Sequence, residues 1–131
     1  MRRLSIVLAL ALLSGCAALL PSLFDPTEHG RLVNIAMLSQ DRTVCADRSQ
    51  AAQAAASIQR ESHWVLTYGS SLPANDNLVI IEKQIAAMAD EMHLRYQSVK
   101  TISTLYCENK LQNINTAAQR GMKASAKRPR I

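Results

Sequence analysis

The chain has 131 residues, 48% of them hydrophobic and only 4% aromatic, with a formal net charge of +5. A length of this order holds one domain. Three cysteines are too few for a disulfide-dense miniature scaffold, and four glycines and four prolines exclude a collagen-like or proline-rich chain.

Arg2 and Arg3 open the chain with positive charge, and residues 4–13 form an apolar run broken only by Ser5. About ten apolar residues are too few for a membrane span and suit the central region of a secretory signal. The run ends in Leu13-Ser14-Gly15-Cys16. Ser14 and Gly15 are small enough to let a peptidase reach the backbone, and only a thiol at position 16 can form a thioether. This leader resembles that of bacterial lipoproteins, whose lipobox sets Leu, a small residue and Gly before the modified cysteine. The resemblance covers the leader alone. It implies a signal peptide at residues 1–15, acylation of Cys16 and anchoring to membrane lipid, stable where two or more acyl chains are attached. Residue 17 is Ala rather than the Asp that commonly retains such proteins at the inner membrane. The resemblance therefore implies the outer membrane, with the body facing the periplasm.

Cleavage before Cys16 leaves 13 basic against 10 acidic residues. Arg120, Lys123, Lys127, Arg128 and Arg130 put five positive charges and no acid in the last twelve residues, while residues 17–119 carry 8 basic and 10 acidic groups. The body is thus near neutral, and the basic balance is not a nucleic-acid footprint. Residues 120–131 are expected to form a disordered basic tail, suited to lipid phosphates or to an acidic partner.

Residues 16–24 make the lipidated cysteine and a short tether containing Leu19, Leu20, Leu23 and Phe24. Eight residues beyond Cys16 reach at most about 27 Å, so the body stays near the lipid surface. A helical domain is expected over 25–119. Asp25 can cap its first helix, Pro26 fits the first helical position, and Glu28 stands at the capping-box position. Leu32, Ile35, Ala36 and Leu38 then form an apolar face up to about residue 40. Residues 41–46 are a connector. Asp47 or Ser49 can cap a second helix to about residue 68, in which Ala51, Ala55, Ile58, Ser62 and Val65 recur at helical spacing. Gly69 is its stop, and residues 70–74, with Pro73, turn the chain.

Asn75 or Asp76 can cap a third helix. Leu78, Ile81, Ile85, Met88, Met92, Tyr96, Val99, Ile102 and Tyr106 follow spacings of three and four, and Leu111 and Ile114 continue them. A helix over 77–119 would be about 64 Å long. Asn109, Asn113 and Asn115 weaken its far end. The expected fold is all-α: an elongated antiparallel helical hairpin or three-helix bundle.

With Cys16 acylated, Cys45 and Cys107 remain, and two cysteines in an exported chain suggest one disulfide. About 31 Å of helix and about 10 Å of extended chain lead back to Cys45, and about 45 Å of helix leads forward to Cys107. In a hairpin the two stand level. Closing this loop stabilises the fold by about 4 kcal/mol in the chain-entropy model.

The histidines, His29, His63 and His93, are scattered. Asp90 and His93 share one helical face with Glu91 nearby, but a carboxylate-bridged metal site in a bundle needs two such pairs. No zinc-type cysteine spacing, phosphate loop or nucleophile elbow is present. No metal, cofactor or catalytic residue is expected. Trp64 and Tyr68, four apart, read as core, and Met88 and Met92 as core fillers. The expected role is non-catalytic: an accessory subunit, assembly factor or spacer with a protein partner in the envelope. The alternative is a phage- or plasmid-encoded envelope lipoprotein, either the outer subunit of a lysis spanin or a factor in superinfection or surface exclusion.

Overall fold

A computed structural model describes residues 21–131; the expected signal peptide, Cys16 and residues 17–20 of the tether lie outside the described residues. Four helices follow in order: α1 Pro26–Gln40, α2 Arg48–Ser71, α3 Asp76–Ser98 and α4 Thr104–Ala126. A 3-10 turn, Arg42–Ala46, joins α1 to α2. No strand occurs among the described residues.

The helix starts follow from short polar side chains. Asp25 Oδ1 accepts from the Glu28 N–H at 2.8 Å, with Pro26 in the first turn. Asp47 Oδ1 accepts from the Gln50 N–H at 2.9 Å, and Ser103 Oγ from the Tyr106 N–H at 3.1 Å. Each satisfies an N–H that has no partner inside its own helix.

Helix α1 packs against α2 and α4, and α3 packs against the same two. Glu28 meets Arg128 and Ala36 meets Asn115, so α1 and α4 run in opposite directions. Short connections impose the same on the successive pairs. Leu32, Ile35, Ile58, Val65, Leu78, Ile85, Met92, Leu111 and Ile114 are fully buried between the helices. Each large aliphatic side chain so buried contributes about 1.5–3 kcal/mol relative to exposure. Ala51, Ala55, Ala89, Ala117 and Ala118 share this core and let the helices approach closely.

The expected long third helix is broken, and the body has four helices rather than two or three. α3 stops at Ser98 and α4 starts at Thr104. Val99, Thr101 and Ile102, between them, are β-branched and resist helix. Arg48 fixes the reversal by donating to the carbonyls of Tyr96 at 2.9 Å, Val99 at 2.7 Å and Lys100 at 2.7 Å. These carbonyls have no partner within the helix that ends there. Apolar spacing ran on through the corner because both helices bury a face in the same core. Asn109, Asn113 and Asn115 lie inside α4 without interrupting it.

Cys45 and Cys107 are joined, with their Cα atoms 5.7 Å apart. The pairing matches the expectation, but the route does not. α3 climbs to the Cys45 end, the chain reverses there, and Cys107 follows in the first turn of α4.

The expected disordered tail is also corrected. α4 continues to Ala126, with Gly121 and Ser125 buried. These small residues extend the register of Leu111, Ile114, Ala117 and Ala118. Being small, they carry no apolar periodicity of their own.

Candidate functional site

Where α1 and α3 begin and α2 and α4 end, the buried faces turn polar. Glu28 lies one turn before Leu32 on α1, Gly69 one turn after Val65 on α2, and Glu82 one turn after Leu78 on α3. Glu28 and Glu82 are 0% exposed, and Asn75, in the connection before α3, is 2% exposed. A buried carboxylate needs a counter-charge or a proton.

Glu28 has its counter-charge. Arg128 Nη1 donates to Glu28 Oε2 at 3.1 Å. Asn75 Nδ2 donates to Glu28 Oε1 and, at 2.8 Å, to the Gly69 carbonyl. Glu82 has no such partner: both its carboxyl oxygens are buried without a hydrogen bond. Burial first, then the negative charge of Glu28, push Glu82 up to about 8, with Arg128 opposing. The raised Glu82 favours its protonated form, which spares this dry layer a second uncompensated carboxylate. Gly69 makes the space. A Cβ there would overlap the Glu82 carboxyl and lie 2.8 Å from Glu28 Oε1.

The outer surface of the same end gathers both termini of the described chain. The Phe24 N–H donates to the Pro129 carbonyl at 2.9 Å, and the Arg130 guanidinium lies 4.4 Å from the centre of the Phe24 ring. The segment that leads back to Cys16 thus arrives beside the last residues of the chain. Arg120, Lys123 and Lys127 are exposed on the outer face of α4 and its cap. Arg120 borders the groove between α3 and α4 with Gln84 and Met88, and Lys123 that between α1 and α4 with Val33 and Met37. Among the described residues, no carboxylate lies within ion-pair distance of these three.

The five cations expected to serve an anionic surface are therefore divided. Arg120, Lys123 and Lys127 face outward, Arg130 sits on Phe24, and Arg128 is engaged by Glu28. Including Arg128 in a surface set is corrected, because its side chain is only 9% exposed. The reading of Glu28 as a capping-box residue is corrected too. Asp25 does cap α1, but the Glu28 carboxylate turns inward to Asn75 and Arg128. Glu82 completes the site from a position with no motif around it. Its signal was present as a carboxylate in step with Leu78 and Ile85.

Trp64 and Tyr68 are not core. Trp64 is 39% exposed, stacks on Tyr68 with ring centroids 5.0 Å apart, and has the Arg31 guanidinium 4.2 Å from its centre. The buried stripe of α2 runs through Ile58, Ser62, Val65 and Gly69, and positions 64 and 68 fall beside it. Met92 is buried, and Met88 packs against the core edge. Asp90 accepts from Gln59 at 2.9 Å and contacts His63 Nε2 at 2.7 Å, while His93 pairs with Gln97 at 2.9 Å. Among the described residues, no three His, Cys, Asp or Glu side chains form a metal-binding group. No described helix is long and apolar enough to cross a membrane.

No protein-family model matches this chain, and neither a curated relative nor a solved structure does.

Proposed function

We propose that this protein is a small envelope lipoprotein, anchored through acyl chains on Cys16 and serving a non-catalytic binding or structural role. The observation that supports it most directly is where the tether meets the bundle. Phe24 is pinned to Pro129 at one end, and the Cys45–Cys107 disulfide closes the other. A lipid on Cys16 then carries the bundle by its polar end. The disulfide favours an oxidising compartment, as export supplies. With Ala17 after the cysteine, the outer membrane is the destination that fits, and the bundle would face the periplasm. There it would act as an accessory subunit, assembly factor or spacer, offering its helix faces to an envelope protein.

Metabolic labelling with a fatty acid tests the anchor. The parent protein should take up label and Cys16→Ser should not. Label missing from the parent, or equal in both, overturns the reading. Crosslinking in intact envelopes tests the role. Recovery of lipid alone removes the protein partner from it.

A further inference from the structure

We infer that the outer face of the last turns of α4, carrying Arg120, Lys123 and Lys127, lies against the anionic phospholipid headgroups of the membrane that holds the anchor. The inference rests on the lipoprotein reading for its geometry.

Four observations carry it. First, the tether is short and its far end is fixed. Phe24 is bonded to Pro129, three residues past α4, so the tether's reach bounds the distance from the lipid to Pro129, and the last turn of α4 follows within three residues of it. Eight extended residues allow at most about 27 Å, and a relaxed chain spans less.

Second, the charge has one sign. No acidic side chain follows Glu108 in the sequence, and the charged side chains of α4 from Lys110 onward are all cations. The carboxylates packed nearest are already engaged. Glu28 is held by Arg128, Glu82 is buried facing it, and Asp25 accepts from the Glu28 N–H and the Tyr68 hydroxyl. Asp76, exposed in the first turn of α3, and the carboxylate of Ile131 are further acids at this end, and neither is within ion-pair distance of the three cations.

Third, the cations are held in order. They occupy helix positions about 10 Å apart end to end, close to one screening length at physiological salt. Little backbone entropy is lost when an existing helix meets a surface, which an unfolded tail would have to lose. Fourth, Leu23, beside the pinned Phe24, is 46% exposed at this same end. An apolar side chain there suits the headgroup boundary.

Lysine-reactivity footprinting tests this on the full lipidated protein, without mutation. The protein is reconstituted in vesicles of phosphatidylcholine alone, or of phosphatidylcholine and phosphatidylglycerol in equal parts. Lys100, exposed at the opposite end, is the internal control. A cation near an anionic surface gains occupancy by about fivefold. Lys123 and Lys127 should therefore react about fivefold more slowly with phosphatidylglycerol present, and high salt should abolish the difference. Lys100 should not change. The variant R120Q/K127Q, altered only at exposed positions, should weaken the protection of Lys123.

Equal reactivity of Lys123, Lys127 and Lys100 in both vesicles overturns the inference. Protection that appears in whole envelopes but not in vesicles overturns it as well and points to an acidic protein instead. The mass of the N-terminal peptide reports acylation of Cys16 separately. Should the acyl chains be missing, the lipoprotein reading fails, while vesicles added to the protein still decide whether this face binds anionic lipid.

Discussion

Arg128 and Glu28 are 100 residues apart in the chain and 3.1 Å apart in the fold. The pair ties the last residues of the protein to the first helix. It also converts what composition presents as a basic tail into part of the packed body. With Glu82 and Asn75 it forms a buried polar layer at the end of the bundle where Phe24 meets Pro129.

Removing the cation should therefore be costly. Arg128→Gln leaves Glu28 buried without a counter-charge, and loss of one partner of a buried pair costs about 3–5 kcal/mol. Urea denaturation followed by circular dichroism measures it. Replacing both partners together, Glu28→Gln with Arg128→Leu, should recover much of the loss. A single-variant loss under about 1 kcal/mol would mean that water already screens the pair.

Stability should also depend on pH in a definite direction. Glu82 is pushed from 4.5 up to about 8 in the fold. Between those values the folded chain holds a proton that the unfolded chain has released. Stability therefore falls as pH rises through this window and levels off above it. Glu82→Gln cannot ionise, so it should flatten this part of the profile and be the more stable protein at pH above about 8. Melting curves across the window on both proteins decide it. An unchanged slope in the variant would assign the dependence to another group.

Gly69→Ala probes the space around the carboxyl pair. The added methyl would overlap the Glu82 carboxyl and crowd Glu28 Oε1, so both buried side-chain ends must shift to admit it. Overpacking of this kind costs about 1–3 kcal/mol. Gly30→Ala, where nothing lies within 4 Å of the added carbon, is the control and should be neutral or slightly stabilising. Equal effects at the two positions would show that the carboxyls relax at no cost.

Reduction should separate the two ends of the molecule. The Cys45–Cys107 disulfide spans 62 residues. Its loss in a Cys45→Ser, Cys107→Ser variant should cost about 4 kcal/mol. Hydrogen exchange should rise first in the Arg42–Ala46 turn and the first turn of α4, which the bridge joins, and later near Glu28. A melting temperature unmoved by reductant would contradict this.

Much of the helical layout was legible from residue types. Asp25 and Asp47 are short acceptors at the starts of helices, and Leu32, Ile58, Ile85 and Met92 recur at the helical period. Periodicity failed at residues 99–103, where Val99 and Ile102 continue the spacing across a reversal. Spacing records which face is apolar, not the direction in which the backbone travels. The three carbonyls taken by Arg48 settle that direction, and Arg48 is about fifty residues away in the chain. Trp64 and Tyr68 lie beside the core rather than in it for a related reason. A helical interval between two aromatic residues does not say whether their shared face is the buried one.

Residue identity along the chain was enough for the all-helical class, the starts of the first two helices, the apolar faces and the candidate cystine, because each rests on local propensity or on a count. Packing was needed to bring Glu28, Glu82 and Arg128 into one dry layer, to make Gly69 a gap and to set Phe24 beside Pro129. Those relations join residues distant in sequence, and the energy of a buried charge depends on the neighbours that replace its water.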